Sequence, residues 1–502
     1  MPTWVLVVVA LAFPPLGIVV LWTRTRVGVF RKLLGTLALA LLSVAYLFLL
    51  FGLRVELDGG ARPILSFGKK ESHYEELEQS RADQKGAGPP PAPITGVVAT
   101  PTAEPAPSEV EVAPPPLTRD WIRFRGAGMD GRYESGEIAT EWPAEGLPLL
   151  WKQPVGGGYA SFVVAGGRAF TIEQRRDQEV AAAYDLKTGR EIWTRAWTAE
   201  FRETLGGDGP RATPTWDEGR VYALGATGEL KVLDEASGEV HWERNILEDA
   251  GAVNLTWGMS GSPLIVDEKV VVLPGGPHGS SVVAYDKGTG TTIWKSLDDQ
   301  QAYASPMLVT LAGYRQILVI GASRAMGVSV EDGSLLWDFP WVTNQGINVA
   351  QPLLLDENRI FLSAGYGHGA EVVAVTRGES GFSARPLWSN TRMKNKFTSS
   401  VLHQGHIYGL DEAILACVDA STGDLKWKGG RYGYGQLVLA SGHLVVLTER
   451  GELVLVEATP EEHRELAMFP AIEGKTWNHP AIADGILLVR NGNEMAAFRV
   501  AR

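Results

Sequence analysis

The sequence predicts an all-β chain folded as an eight-bladed β-propeller of four-stranded antiparallel blades, with seven blades as the alternative count. Three observations predict it: a phrase repeated along the chain, a second column of strand starts in step with it, and a spare strand ahead of the first repeat. The phrase is Asp, two residues, Thr or Ser, Gly, three residues, Trp. It runs from Asp185 through Thr188-Gly189 to Trp193, and from Asp234 through Ser237-Gly238 to Trp242. It returns from Asp286 through Thr289-Gly290 to Trp294, and from Asp419 through Thr422-Gly423 to Trp427. A shortened copy reads Glu331-Asp332-Gly333 to Trp337. A period of roughly 40 to 50 residues is the mark of a repeat architecture.

Each copy is a hairpin turn. The Asp carboxylate accepts bonds from backbone amides of the turn, and the Gly supplies the left-handed residue that closes it. The Trp stands on the outgoing strand at a fixed place, where its large ring can wedge against the neighbouring sheet.

The second column marks where each blade begins. It reads Tyr159-Ala-Ser-Phe162, Arg211-Ala-Thr-Pro214, Ser260-Gly-Ser-Pro263, Tyr303-Ala-Ser-Pro306, Val349-Ala-Gln-Pro352, Phe397-Thr-Ser-Ser400, Tyr434-Gly-Gln-Leu437 and Trp477-Asn-His-Pro480. A turn and a second strand follow most of them, which gives the four short strands of a propeller blade. The Phe397 and Tyr434 units are the least regular, and they are why seven remains an alternative. The last unit runs out before its fourth strand, whereas Leu149 to Gln153 is an unassigned strand with its own Trp151. Donating that strand to the final blade would close the ring and leave no free edge.

Ahead of the propeller the chain divides into residues 1–53, a transmembrane helical hairpin, and 54–117, a juxtamembrane segment and Pro-rich tether; the propeller is assigned 118–502. Pro2 to Trp22 and Leu33 to Leu53 are almost wholly apolar, each near the ~20 residues a spanning helix needs. The basic loop between them carries Arg24, Arg26, Arg31 and Lys32. By the positive-inside rule it faces the cytoplasm, placing the propeller on the periplasmic side of the inner membrane. His73 to Lys85 can form a short acidic helix with Tyr74 and Leu77 on one face, and its polarity favours a solvated spacer. Gly86 to Pro116, rich in Pro and Ala, reads as an extended tether.

The net charge of −12 and the absence of a basic stripe in the repeats exclude a nucleic-acid binder. The single cysteine, Cys417, excludes an intrachain disulfide and reads as a small buried apolar residue.

Ala183 to Trp193 and Ala284 to Trp294 resemble the tryptophan-docking motif of pyrroloquinoline-quinone (PQQ) dependent alcohol dehydrogenases. The same motif marks the wider PQQ-like propeller family, which includes the propeller lipoprotein of the outer-membrane barrel-assembly machinery. Trp121 to Gly131 is similar to the entry segment of many PQQ-like repeat proteins. The resemblance covers Arg119 to the C-terminus and implies a fold more than an activity. The dehydrogenases resembled here use a vicinal Cys pair, Ca²⁺ held by carboxylate and amide oxygens, and an Asp base. One cysteine excludes that pair, and no Asp/Glu/Asn cluster aligns with those ligands. The two N-terminal helices also stand where the lipoprotein has a lipidated Cys.

A propeller offers a ligand the mouth of its channel, where the loops entering the inner strands meet the hairpins joining second and third strands. The candidate channel-mouth site is Tyr159, Arg211, Trp257, Tyr303, Asn348, Lys396, Tyr434, Trp477 and His479. Aromatic faces around cations suit a ligand or a peptide; the other reading is that these rings plug the channel and pack on one another. His278 and His368 sit on matching hairpins two blades apart and are the weak metal candidates; exposed turns are their ordinary reading. Asp208 and Asp249 read as solvated loop charge. The function expected is a membrane-anchored extracytoplasmic scaffold that binds an envelope protein or a small ligand, non-catalytic and without cofactor. The alternative is a quinoprotein oxidoreductase of the alcohol or sugar dehydrogenase type, with PQQ and Ca²⁺ but without the Cys pair.

Overall fold

The computed structural model describes residues 12–24, 27–50, 52–67, 70–86 and 120–502. The chain falls into two compact units, Met1–Glu76 and Leu77–Arg502.

In the first unit, helices α1 (Pro14–Thr23) and α2 (Val29–Leu49) precede a hairpin of Leu53–Leu57 with Pro63–Phe67. The side chain of Leu21 lies against Gly35, and Trp22 Nε1 donates to Thr36 Oγ1 at 2.9 Å. Helix α2 has 21 residues, a mean hydropathy of 2.0 and no buried residue, so it is long and apolar enough to cross a membrane. Helix α1 has ten described residues, short of a span. The two-span expectation is therefore met by one helix among the described residues; residues 1–11 of the first apolar segment lie outside them. So does the expected tether from residue 87 onward.

The second unit holds the propeller. Eight four-stranded sheets follow one another, and both doubtful units are complete blades. Blades 1 to 4 cover 163–198, 215–245, 264–296 and 307–340; blades 5 to 7 cover 353–390, 401–431 and 436–470. Blade 8 takes its inner three strands from 481–499 and its outermost strand from Leu149–Pro154, in antiparallel register Ala497↔Trp151. The spare strand thus closes the ring as its position predicted.

The docking phrase works as a contact between blades. Within each turn Asp185, Asp234 and Asp286 accept from the amide of Thr188, Ser237 or Thr289 at 2.8 Å. Each Trp then reaches across to the next blade: Trp193 Nε1 donates to Glu235 O at 2.9 Å, and Trp242 Nε1 to Lys287 O at 3.0 Å. Its ring lies on the next blade's turn glycine. A Cβ at Gly238 or Gly290 would stand 2.6 Å from the ring of Trp193 or Trp242, and both glycines hold φ near +70°. The glycine is therefore required twice, by its own backbone and by its neighbour's ring. Blade 7 lacks the Trp. Phe469 stands in that region against Gly146, which explains why that unit looked irregular.

Two segments outside the repeats complete the body. Trp121 to Tyr133 closes one end of the channel. Trp121 pairs with Val164 of blade 1, Ile122 O accepts from Trp216 of blade 2, and Arg132–Tyr133 add a parallel strand to blade 7. Arg125, 1% exposed, donates to Ser399 O at 3.1 Å and Ser400 O at 2.6 Å; its burial without a carboxylate bond pulls its pKa down to about 10.

The other segment is helix α3 (Lys70–Gly86), whose residues from Leu77 onward dock on the propeller. Arg81 donates to Gln153 Oε1 and Pro154 O, both at 2.7 Å, and its Nε lies 3.3 Å from Glu191. Gln84 Oε1 accepts from Glu191 N at 3.0 Å, and Glu78 pairs with Arg176 at 2.6 Å. Gln153 and Pro154 belong to the closing strand of blade 8, Arg176 and Glu191 to blade 1. This corrects the solvated-spacer expectation: the acidic helix carries Leu77 and Arg81 as buried residues across the closure seam.

Candidate functional site

The blade geometry gathers most of the predicted mouth residues at the end of the channel opposite Trp121–Tyr133. The Trp477 ring lies 4.6 Å from Phe397 and 5.3 Å from Tyr159, and Phe397 lies 5.7 Å from Tyr434. Gln436, buried beneath, donates to Phe397 O at 3.0 Å and Trp477 O at 2.9 Å, which ties the arc to the inner strand of blade 7. Trp477 Nε1 donates to Glu449 at 2.8 Å, and the Tyr434 hydroxyl to Glu412 at 3.1 Å. The rings are half-buried.

Cations lie over these rings. Lys396 Nζ is 5.0 Å from the Tyr366 centroid, 5.3 Å from Phe397 and 5.1 Å from Tyr434. Lys475 stands 4.5 Å over Trp477. Contacts of this kind are worth about 0.5–2 kcal/mol each. They fix four ring faces and two ammonium groups at one rim.

Other predicted residues serve the scaffold. The Arg211 guanidinium donates to Gly207 O and Gly209 O and lies 4.5 Å over Phe201, so it shapes its own loop; burial lowers its pKa. Asn348 is 1% exposed and donates to Gly321 O at 2.9 Å, while its backbone carbonyl accepts from Tyr303 N. His479 is buried edge-on against Phe124 at 4.8 Å; burial, then Arg125, hold its pKa well below the usual histidine value. Trp257 and Tyr303 form a separate pair, 5.9 Å apart, on the side of blades 3 and 4.

His278 is an exposed turn residue with φ +55°, and His368 rests edge-on against Trp341 at 4.3 Å. Among the described residues no group of three or more His, Cys, Asp or Glu is placed to hold a metal ion. At the mouth Glu412 accepts from the Tyr434 hydroxyl and Glu449 from the Trp477 indole. Asp249, read as lone loop charge, accepts from the Tyr285 hydroxyl at 3.2 Å. Cys417 is buried, and burial pushes its thiol up to about 12. Sequence reasoning missed Tyr366, Phe201 and Lys475, which belong to neither repeated column. It also missed Asn254 and Gln301, whose only signal was polar residues in the loops before Ser260 and Tyr303.

The family model described as "Outer membrane protein assembly factor BamB" matches residues 176–429, 254 of 502 and so just over half the chain. The chain belongs to that PQQ-like propeller family. Within it, BamB of Bordetella pertussis is 20% identical over 306 residues, 60% of this chain and 72% of the relative. BamB of Shewanella oneidensis is 25% identical over 222 residues, 42% of this chain and 50% of the relative. The quinohemoprotein alcohol dehydrogenase of Comamonas testosteroni is 27% identical over 193 residues, 36% of this chain but only 25% of that enzyme. Among solved structures, BamB from Moraxella catarrhalis superposes with a TM-score of 0.50 at 14% identity, covering 70% of this chain and 99% of its own. The quinohemoprotein alcohol dehydrogenase ADHIIG from Pseudomonas putida HK5 gives 0.55 at 13%, covering 76% and 80%. These likenesses of structure show the fold alone.

Proposed function

We propose that this family member is a membrane-anchored extracytoplasmic scaffold whose mouth binds a partner protein of the cell envelope. The carrying observation is the arc Tyr159–Trp477–Phe397–Tyr434, whose half-buried faces are held by Gln436 and flanked by Lys396 and Lys475. Rigid aromatic faces beside cations are the residue types that anchor protein interfaces at low entropic cost. The family's description and its BamB relatives, named for outer membrane protein assembly, support the same reading.

A photo-reactive residue placed at 434 in the full chain, in cells, tests it. Discrete cross-linked species from 434, and none from the outer-strand position 293, are the expected result. Saturable, calcium-dependent binding of PQQ to the full chain by calorimetry would replace the scaffold with the quinoprotein oxidoreductase. The anchor is tested separately. With Cys417 buried, a cysteine introduced at 28 should escape a membrane-impermeant maleimide that labels one at 293. Equal labelling of both would overturn the two-pass inner-membrane topology.

A further inference from the structure

Beside the mouth, the loops entering blades 3, 4 and 5 and the second hairpins of blades 3 and 4 line a half-open cavity of about 1010 Å³. Trp257 and Tyr303 form an aromatic wall, their rings inclined at 56° and both half-buried. Planar polar side chains line the same pocket. Gln301 is 6% exposed, and its Nε2 is buried with no hydrogen-bond partner. Asn254 donates Nδ2 to Ala226 O at 2.9 Å and keeps its Oδ1 buried and unpartnered.

Two carboxylates complete the wall. Asp299 is held by the Ser323 hydroxyl at 3.0 Å and amide at 3.2 Å, and Asp298 accepts from Gly279 N at 2.7 Å. None of the residues lining the cavity is Lys or Arg.

An amide left buried and unpaired destabilises the fold, and a ligand that supplies the missing partner removes that cost. Here one orphan is a donor and the other an acceptor, so the matching ligand carries groups that both donate and accept. Hydroxyls do both. The aromatic wall asks for an apolar face next to them, and the exposed Asp298 disfavours an anion, the Asp299 charge being offset by Arg324 at 4.0 Å. A pyranose ring has this combination, with axial C–H bonds for the indole face and equatorial hydroxyls at its edge. The volume, at the upper end of the roughly 300–1,000 Å³ of small-molecule sites, has room for more than one ring.

We propose that this cavity binds a neutral saccharide, stacked on Trp257 and hydrogen-bonded by Gln301, Asn254 and the Asp298–Asp299 pair. The site requires no protein partner, so its fate is independent of the scaffold reading.

The test uses the full chain in a detergent without a sugar headgroup. It is titrated with glucose, maltose, cellobiose, N-acetylglucosamine and chitobiose, with glucuronate and spermidine as charge probes, and read by tryptophan fluorescence and calorimetry. At least one neutral saccharide should saturate, and glucuronate should bind at least about tenfold more weakly. Trp257→Ala and Gln301→Leu should each weaken binding about tenfold or more while the protein still unfolds cooperatively on heating, and Ile293→Ser on an outer strand changes nothing. Saturation by spermidine alone would make the site an acidic cation pocket and overturn the proposal. So would no saturation by any saccharide, or equal affinity in the Trp257→Ala and Gln301→Leu variants.

Discussion

The two halves of the mouth are built from the same repeat positions and are filled in opposite ways. On the side of blades 6, 7, 8 and 1, the rings of Phe397, Tyr434, Trp477 and Tyr159 interlock, and a buried Gln436 bonds to the strand starts. On the side of blades 3 to 5 only Trp257 and Tyr303 pair, as one wall of a hollow, and Gln301 and Asn254 keep unpaired buried atoms. The repeat fixes where a side chain stands; its neighbours decide whether it becomes filler or wall. A ring in the filled half should therefore matter for stability as well as for the protein partner it would face, and one in the hollow half chiefly for a small ligand.

The largest effect should come from Trp477→Ala, which removes a ring touching both Phe397 and Tyr159 and the donor to Glu449. A loss of about 2–4 kcal/mol, read as a lower urea midpoint, is expected. A loss no larger than that of Trp257→Ala would break the comparison.

Next is the pH dependence at the boundary between the halves. Glu179 accepts from Ala226 N at 2.8 Å, and Ala226 O holds Asn254 on the cavity wall. Burial raises the Glu179 pKa from 4.5 to about 7. The folded state thus keeps a proton that the unfolded chain has released, so stability is fullest below pH 4.5. It falls as pH rises through about 7, by roughly 3 kcal/mol in all. Melting temperature should decline from pH 5 to 7.5, and Glu179→Gln should flatten the decline. Glu173 does not interfere. Burial raises its pKa, but Arg175, Arg490 and Arg81 outweigh that and hold it to about 2, so its contribution is lost only as pH falls below 4.5.

Trp257→Ala should cost less than about 1.5 kcal/mol, because the ring already faces a hollow. The smallest change belongs to Gln301→Leu. Removing an orphaned amide should leave the urea midpoint unchanged or raise it by up to about 1 kcal/mol equivalent. A clear destabilisation would mean that Gln301 is bonded after all.

The blades were legible because they repeat. Asp, Gly and Trp recur at fixed spacing, and a last unit one strand short points directly at Leu149 to Gln153. Even the irregular blade 7 follows from one substitution of role, Phe469 against Gly146. The candidate rings were half legible. Their column was visible, but whether Tyr159 meets Trp477 depends on a contact more than 300 residues apart in sequence, and Lys475 and Tyr366 lie outside any column. The cavity was not legible, because its orphans are defined by what fails to reach them. The docking of α3 was missed for a related reason: Tyr74 and Leu77 show an apolar face, but Gln153 and Glu191 give no sign of what they bind.

Helix α3 has one more consequence. A ring closed by a borrowed strand is weakest where its two chain ends meet, since peeling one strand there opens the whole circle. Arg81 and Gln84 bind that strand through Gln153 and bind blade 1 through Glu191 and Arg190, like a splint across a break. Any version of the protein that begins after residue 86 discards the splint, and its rate of opening becomes a property of the shortened chain.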